Sequence, residues 1–176
     1  MVTRLDQLKL LGANPEKITT QCPGGTSHSW AKQQATGTKS INDKINDLAA
    51  SPSGGDQHEA AAAQHNVNEG TLNDSKDMSD DSDKVWWVCT VCGFQREADH
   101  VTTDSSGDQS AVEAKAKTAL SDADARQLGR NCQLIQQGAA SSVTYKVPAG
   151  PAHNVLVSQI RQVANAIGQA VSVVRV

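Results

Sequence analysis

Val85-Trp86-Trp87-Val88-Cys89-Thr90-Val91-Cys92-Gly93-Phe94 is the densest apolar stretch of the chain, and its reading decides the fold. It holds two of the three tryptophans, the single phenylalanine and two of the four cysteines. Val85 to Val88 is rich in β-branched and aromatic residues, which suit an extended segment. The Cys-x-x-Cys spacing lets both sulfurs face one point across a tight turn. Gly93 falls where that turn needs a permissive backbone. Phe94-Gln95-Arg96 then leads out as the second arm of a hairpin. The third tryptophan lies upstream, in Cys22-Pro23-Gly24-Gly25-Thr26-Ser27-His28-Ser29-Trp30.

A structural zinc ion needs four protein donors in a tetrahedron, with no position left for water. Cys22, His28, Cys89 and Cys92 make such a set, and Pro23-Gly24-Gly25 allows the chain to bend round an ion. Trp30 is expected to pack with Trp86 or Trp87 over the site. Two other readings of the cysteines remain open at this level. A redox Cys-x-x-Cys places its first cysteine at a helix N-terminus, which lowers the thiol pKa, whereas Cys89 follows a strand. A disulfide scheme would oxidise Cys89 with Cys92 and pair Cys22 with Cys132. His100 and His153, in polar segments, are alternative fourth ligands. Cys132 shares a stripe with Ala125, Leu128 and Ile135 and reads as a small buried hydrophobe.

The pattern resembles the zinc-ribbon families, in which two knuckles, often C-x-x-C-G, hold one zinc between short hairpins. Cys89-Thr90-Val91-Cys92-Gly93 carries the match, and Cys22…His28-x-Trp30 is similar to a Cys/His first knuckle. The chain departs from that pattern in its C-x5-H spacing and in the 60 residues that separate His28 from Cys89. The resemblance implies a structural Zn2+ and no particular activity.

Totals narrow the classes further. The 176 residues contain 3 % aromatics and 38 % hydrophobics, with a mean hydropathy of −0.46, so a large core is not expected and a metal staple is. A net charge of −3 gives no general attraction to nucleic acid. The absence of a long apolar run and the polar N-terminus predict no membrane partner and synthesis in a reducing cytoplasm.

The expected fold class is α+β: a small zinc ribbon, a long loop-rich insertion and a mixed helix/strand C-terminal region. Residues 1–30 would carry an N-terminal helix from Thr3, with Leu5, Leu8 and Leu11, and the first zinc half. Residues 31–84 read as a polar, partly helical arm. Its helices would start at Ser40 and Asp56, with His58 and His65 on an exposed alanine-rich face, and 74–84 reads as disordered. The second zinc half is 85–98 and a linker spans 99–109. In 110–176, helices are expected from Ser110 (Val112, Ala116, Leu120), from Ser121 and from Asn154, with strands at Val143–Val147 and near Val171–Val176. An extended reading of 155–163 competes with the last helix.

No catalytic constellation is visible: P-loop, H-E-x-x-H and G-x-S-x-G patterns are absent, and the acidic run at 80–83 reads as solvated. The expectation is therefore a non-enzymatic structural subunit of a multi-copy assembly, with other protein subunits as partners and a virion head or tail accessory protein as its concrete form. The alternative is a nucleic-acid-binding zinc ribbon, with Lys32, Lys39, Lys44 and Arg96 on phosphates.

Overall fold

A computed structural model of the chain describes residues 21–176, which form a mixed α+β fold. The helix expected from Thr3 lies outside the described residues. A three-stranded antiparallel sheet has the order β1 (Trp30–Gln33), β2 (Val85–Cys89), β3 (Gln95–Ala98). Trp30 lies opposite Cys89, and Trp87 opposite Arg96, so the two cysteine-bearing segments are hydrogen-bonded neighbours despite their separation in sequence. Between β1 and β2 come α1 (Ile41–Ala50) and α2 (Gly54–Asn68). The Ser40–Asp43 capping box opens α1 as expected, and Gly70, at φ 72°, follows the end of α2.

The second sheet has the order β4 (His100–Thr103), β5 (Gln109–Ala114), β6 (Ser142–Val147), β7 (Ser172–Arg175). Strands β4 and β5 are antiparallel. Strands β5, β6 and β7 are parallel, joined through α3 (Asp122–Gln136) and α4 (Asn154–Ile167). On β6, Tyr145 meets Asn131 of α3 while its neighbour Lys146 meets His65 of α2. Successive strand residues point to opposite faces, so α2 and α3 cover opposite faces of the sheet.

Several expectations need correction. Residues 110–114 are strand β5, not the start of a helix, because pairing with β4 on one side and β6 on the other outweighs the local capping pattern. The expected linker 99–109 contains β4 and the first residue of β5. Residues 74–84 are not a bare polar tract. Met78 is fully buried, Asp83 accepts the backbone N–H of Thr36, and the Ser79 hydroxyl donates to the carbonyl of Ala98. His58 is buried rather than exposed and bonds the Lys146 carbonyl. The helix from Asn154 is formed, with Leu156, Ile160, Val163 and Ile167 buried, so the extended reading there fails.

One hydrophobic core joins the two sheets. It runs from Ala35, Val85, Trp87 and Ala98 through Ala111, Val143 and Tyr145 to Leu128, Cys132, Leu156 and Ile160. Ile45, Leu48, Ala63, Leu72 and Met78 form a smaller cluster between α1 and α2. No described helix is long and apolar enough to cross a membrane.

Leu128 lies fully buried on α3 in the shared core. Leu128→Ala should cost about 2–5 kcal/mol, read as a lowered urea midpoint. Loss of less than about 1 kcal/mol would contradict a close-packed core at this helix. At the start of α3, burial alone would raise the Asp124 carboxyl, but hydrogen bonds from Lys117 and from the Ser121 amide and hydroxyl outweigh it and hold the pKa at about 2. The stability this group contributes is present above its unfolded pKa of 3.8 and is lost as pH falls toward 2. Asp124→Asn should therefore flatten the acid limb of the stability–pH curve, measured as urea midpoints between pH 2 and 5.

Candidate metal centre and an acidic cleft

Two tight turns deliver the four expected donors. In the first, Cys22 accepts the N–H of Gly25 and donates its own to Thr26, with Gly24 and Gly25 at φ 94° and 84°. In the second, the Cys89 carbonyl accepts the N–H of Gly93, whose φ of 74° closes the turn. The Thr90 N–H donates to the Ser29 carbonyl at 2.8 Å, locking one turn to the other.

The donor atoms of Cys22, His28, Cys89 and Cys92 all lie within 4.8 Å of one another. Cys22 Sγ is 3.3 Å from His28 Nδ1 and 3.5 Å from Cys89 Sγ, and Cys92 Sγ is 3.4 Å from His28 Nδ1. Tetrahedral bonds of about 2.3 Å to sulfur and about 2.0 Å to nitrogen place donors roughly 3.5–3.8 Å apart, so the set fits a single ion. Cys22, His28 and Cys89 are buried, and Cys92 forms the rim. Burial and the neighbouring thiols push Cys22 up to about 11. Cys89, despite burial, is held at about 5 by hydrogen bonds from the Cys92, Ser29 and Val91 amides. A dication answers this crowding of thiols, which cannot all ionise side by side without one.

All four cysteines are free, and Cys132 is fully buried in the core, so the disulfide scheme does not hold. His100 is buried beside Asn66, and His153 lies against the Lys117 carbonyl, so neither replaces His28. Trp30 covers the cluster differently from expectation: its ring contacts are His28 at 4.9 Å and Phe94 at 6.0 Å. Phe94 also stacks on His28, and Arg130 of α3 lies over Phe94.

A second site was not anticipated. At the C-terminal end of β5 a cleft of about 510 Å³ is lined by Gly54, Gly55, Glu59, Asp99, Lys115 and Lys117, among others. Gly54 and Gly55 open α2, and Asp99 is the single residue between β3 and β4. One Asp99 carboxylate oxygen accepts the Ala114 N–H at 2.7 Å. Behind Lys115, Glu113 is buried: one oxygen pairs with Arg96 and the other lies 4.0 Å from Lys115 Nζ. Burial and the charge of Asp99 push Glu59 up to about 9, and burial and the charge of Glu113 push Asp99 up to about 7. Among the described residues, only the Cys/His set brings three or more such donors within reach of one another. The cleft carboxylates do not form such a set.

Sequence reasoning missed this cleft because it read Ser110–Leu120 as a helix. Glu59, Asp99 and Lys115 lie far apart in the chain, and no spacing signals that they meet.

The purified chain should carry about one equivalent of zinc, and Cys89→Ser should abolish that stoichiometry and lower the thermal midpoint. Atomic absorption and a melting curve on protein prepared without chelator test this. Less than half an equivalent would count against the cluster as a zinc site. No protein-family model, curated protein or solved structure matches the chain.

Proposed function

We propose that this chain is a divalent-cation-dependent phosphodiester hydrolase acting on nucleic acid, with the Cys/His cluster as a structural zinc ribbon that staples the fold. The observation that carries the reading is the meeting of Glu59, Asp99 and Lys115 at one cleft at the end of a parallel strand. Clefts at the carboxyl ends of parallel strands are the usual ligand sites of such sheets.

The side chains divide the work. Asp99 is the anionic group that would hold a hydrated Mg2+ or Mn2+, which needs only one or two carboxylates beside substrate oxygens and water. Such a cation supplies Lewis-acid stabilisation and an acidified water. Lys115 places a positive charge where negative charge grows on the phosphoryl oxygens. Glu59 faces the same cleft and, with its raised affinity for a proton, suits proton transfer near neutral pH. Gly54 and Gly55 carry no side chain at the N-terminus of α2, so a phosphate can approach the backbone N–H groups there, and Lys117 flanks that approach.

The expectation of a non-enzymatic assembly subunit, with the virion as its setting, rested on few aromatics, long polar arms, short helices and the lack of a catalytic pattern in the sequence, and it is the other reading of this chain. Recessed carboxylates beside a lysine at one cleft favour the hydrolase over it. The nucleic-acid partner of the alternative reading becomes the substrate. The net charge of −3 leaves recognition to local cations rather than to a general basic face.

Zinc-loaded protein, freed of loosely bound cations by dialysis, should cleave supercoiled plasmid, single-stranded DNA or RNA when Mg2+ or Mn2+ is added. Asp99→Asn and Lys115→Ala should each lower the rate by about 100-fold or more. The reading is overturned if none of the three polymers is cut and Mn2+ titration gives no binding heat.

A further inference from the structure

We infer that Arg126 and Arg130, one turn apart on α3, form a binding site for a phosphate group beside the Cys/His-clamped sheet. The inference rests on the nucleic-acid reading above for the source of that group, a backbone phosphate of the substrate. Neither arginine lines the cleft.

Three arginines meet where α3 passes the Cys/His-clamped sheet. Arg96 is engaged: its Nε donates to Asn131 Oδ1 at 2.7 Å and one terminal nitrogen donates to Glu113 Oε1. Arg126 and Arg130 are not. Among the described residues, no side-chain hydrogen bond or ion pair includes either of them. Arg130 Nε is buried without a partner, and its guanidinium carbon lies 5.2 Å from the centre of the Phe94 ring. Phe94 stacks in turn on His28, so the zinc turn fixes where Arg130 sits. Both arginines are partly exposed, and a solute can reach them. Arg126 and Arg130 share one face of the helix with Gln137, three turns on from Arg126, which accepts the Trp30 indole N–H. The two guanidiniums therefore stand on the side of α3 that turns to Trp30 and Phe94.

Like charges one turn apart on a helix repel. Burial, and then the charges of Arg96 and Arg126, lower the pKa of Arg130. The carboxylates of the elements that meet here are engaged elsewhere: Glu113 with Arg96, Glu97 with Lys84, and Asp124 with Lys115 and Lys117. Asp122 lies one turn before Arg126 and forms no ion pair with a described residue. The pair thus keeps its positive charge for something outside the chain. A phosphate fits that role, because a guanidinium fork presents paired N–H donors to its oxygens, and two forks a turn apart can hold one group from two sides. In a chain of net charge −3, such a local pair is what draws a polyanion in.

Protein dialysed free of Mg2+ and Mn2+, so that nothing is cut, would be titrated with a fluorescein-labelled oligothymidylate and with inorganic phosphate. Anisotropy reads the first, the thermal midpoint the second, and circular dichroism checks the fold. Arg126→Gln should weaken oligonucleotide binding about 10-fold at low salt and reduce the slope of log K against log salt by about one. Arg126→Lys, which keeps the charge without the fork, should restore the slope and part of the affinity. Arg130→Gln should act as Arg126→Gln does, and Arg126→Gln decides the matter if loss of the Phe94 contact unfolds the other variant. Inorganic phosphate should compete with the oligonucleotide. If phosphate raises the midpoint of wild type but not of Arg126→Gln, while both bind the oligonucleotide alike, the site takes free phosphate and the inference stands without the polymer. Equal binding of both probes by wild type and folded variants, or no binding by wild type, would overturn it and leave the hydrolase reading to the cleft. A wild type that cuts no nucleic acid, with phosphate binding still lost in the variants, would overturn the hydrolase reading and leave this site.

Discussion

The ion pair between Arg96 and Glu113 joins the two sheets, with side chains only 7 % and 1 % exposed. Desolvating both charges costs more than an exposed pair ever returns, so a buried pair is a poor device for stability alone. What it offers is placement. Asn131 and Tyr145 complete the arrangement, and the result is a carboxylate held at one orientation beside Lys115. The rest of the molecule can be understood as what keeps β3 and β5 at the separation this pair requires.

Three features meet that requirement. Hydrogen bonds between β1 and β2 and between β2 and β3 make a small twisted sheet, and the Cys/His turns close its end. Trp87 and Ala98 then bury the inner face of that sheet against the same core that holds Ala111, Val143 and Leu128. The Cys/His-clamped sheet is accordingly not a separate bead on the chain. Few aromatics are available, and alanine supplies much of the packing, as in α2 where Ala60, Ala62 and Ala63 are buried. Small side chains bury little area each, so the Cys/His cluster and a long-range polar network matter more here than in a domain with a rich core.

Polar groups that read as solvated turn out to be structural. Lys44 is buried and donates to the carbonyls of Ser75 and Met78, satisfying backbone that no helix or strand pairs. Ser79, Asp80 and Asp83 bond backbone groups of their neighbours in the same way. Satisfying buried backbone groups is obligatory, and side chains do it wherever secondary structure does not. Composition cannot distinguish such a segment from a disordered one, because the same serines and aspartates serve both.

The sequence by itself determined the hairpin around Gly93 and the helices opened at Ser40 and Ser121, because each depends on chemistry within a few residues, turn backbone or cap. It offered the Cys/His set beside a disulfide scheme and two other histidines, and the pairing of β1 with β2 decided between them. It also placed the apolar face of the last helix through Leu156, Ile160, Val163 and Ile167. Only the tertiary structure decided that 110–114 is a strand, since its capping pattern is local while its pairing partners are at 100–103 and 142–146. The same holds for the cleft. Glu59 and Asp99 come from a helix and a junction between strands, and no spacing along the chain predicts that the two carboxylates will line one cleft. Their meeting depends on how two sheets pack, and that is set by contacts between residues far apart in the chain.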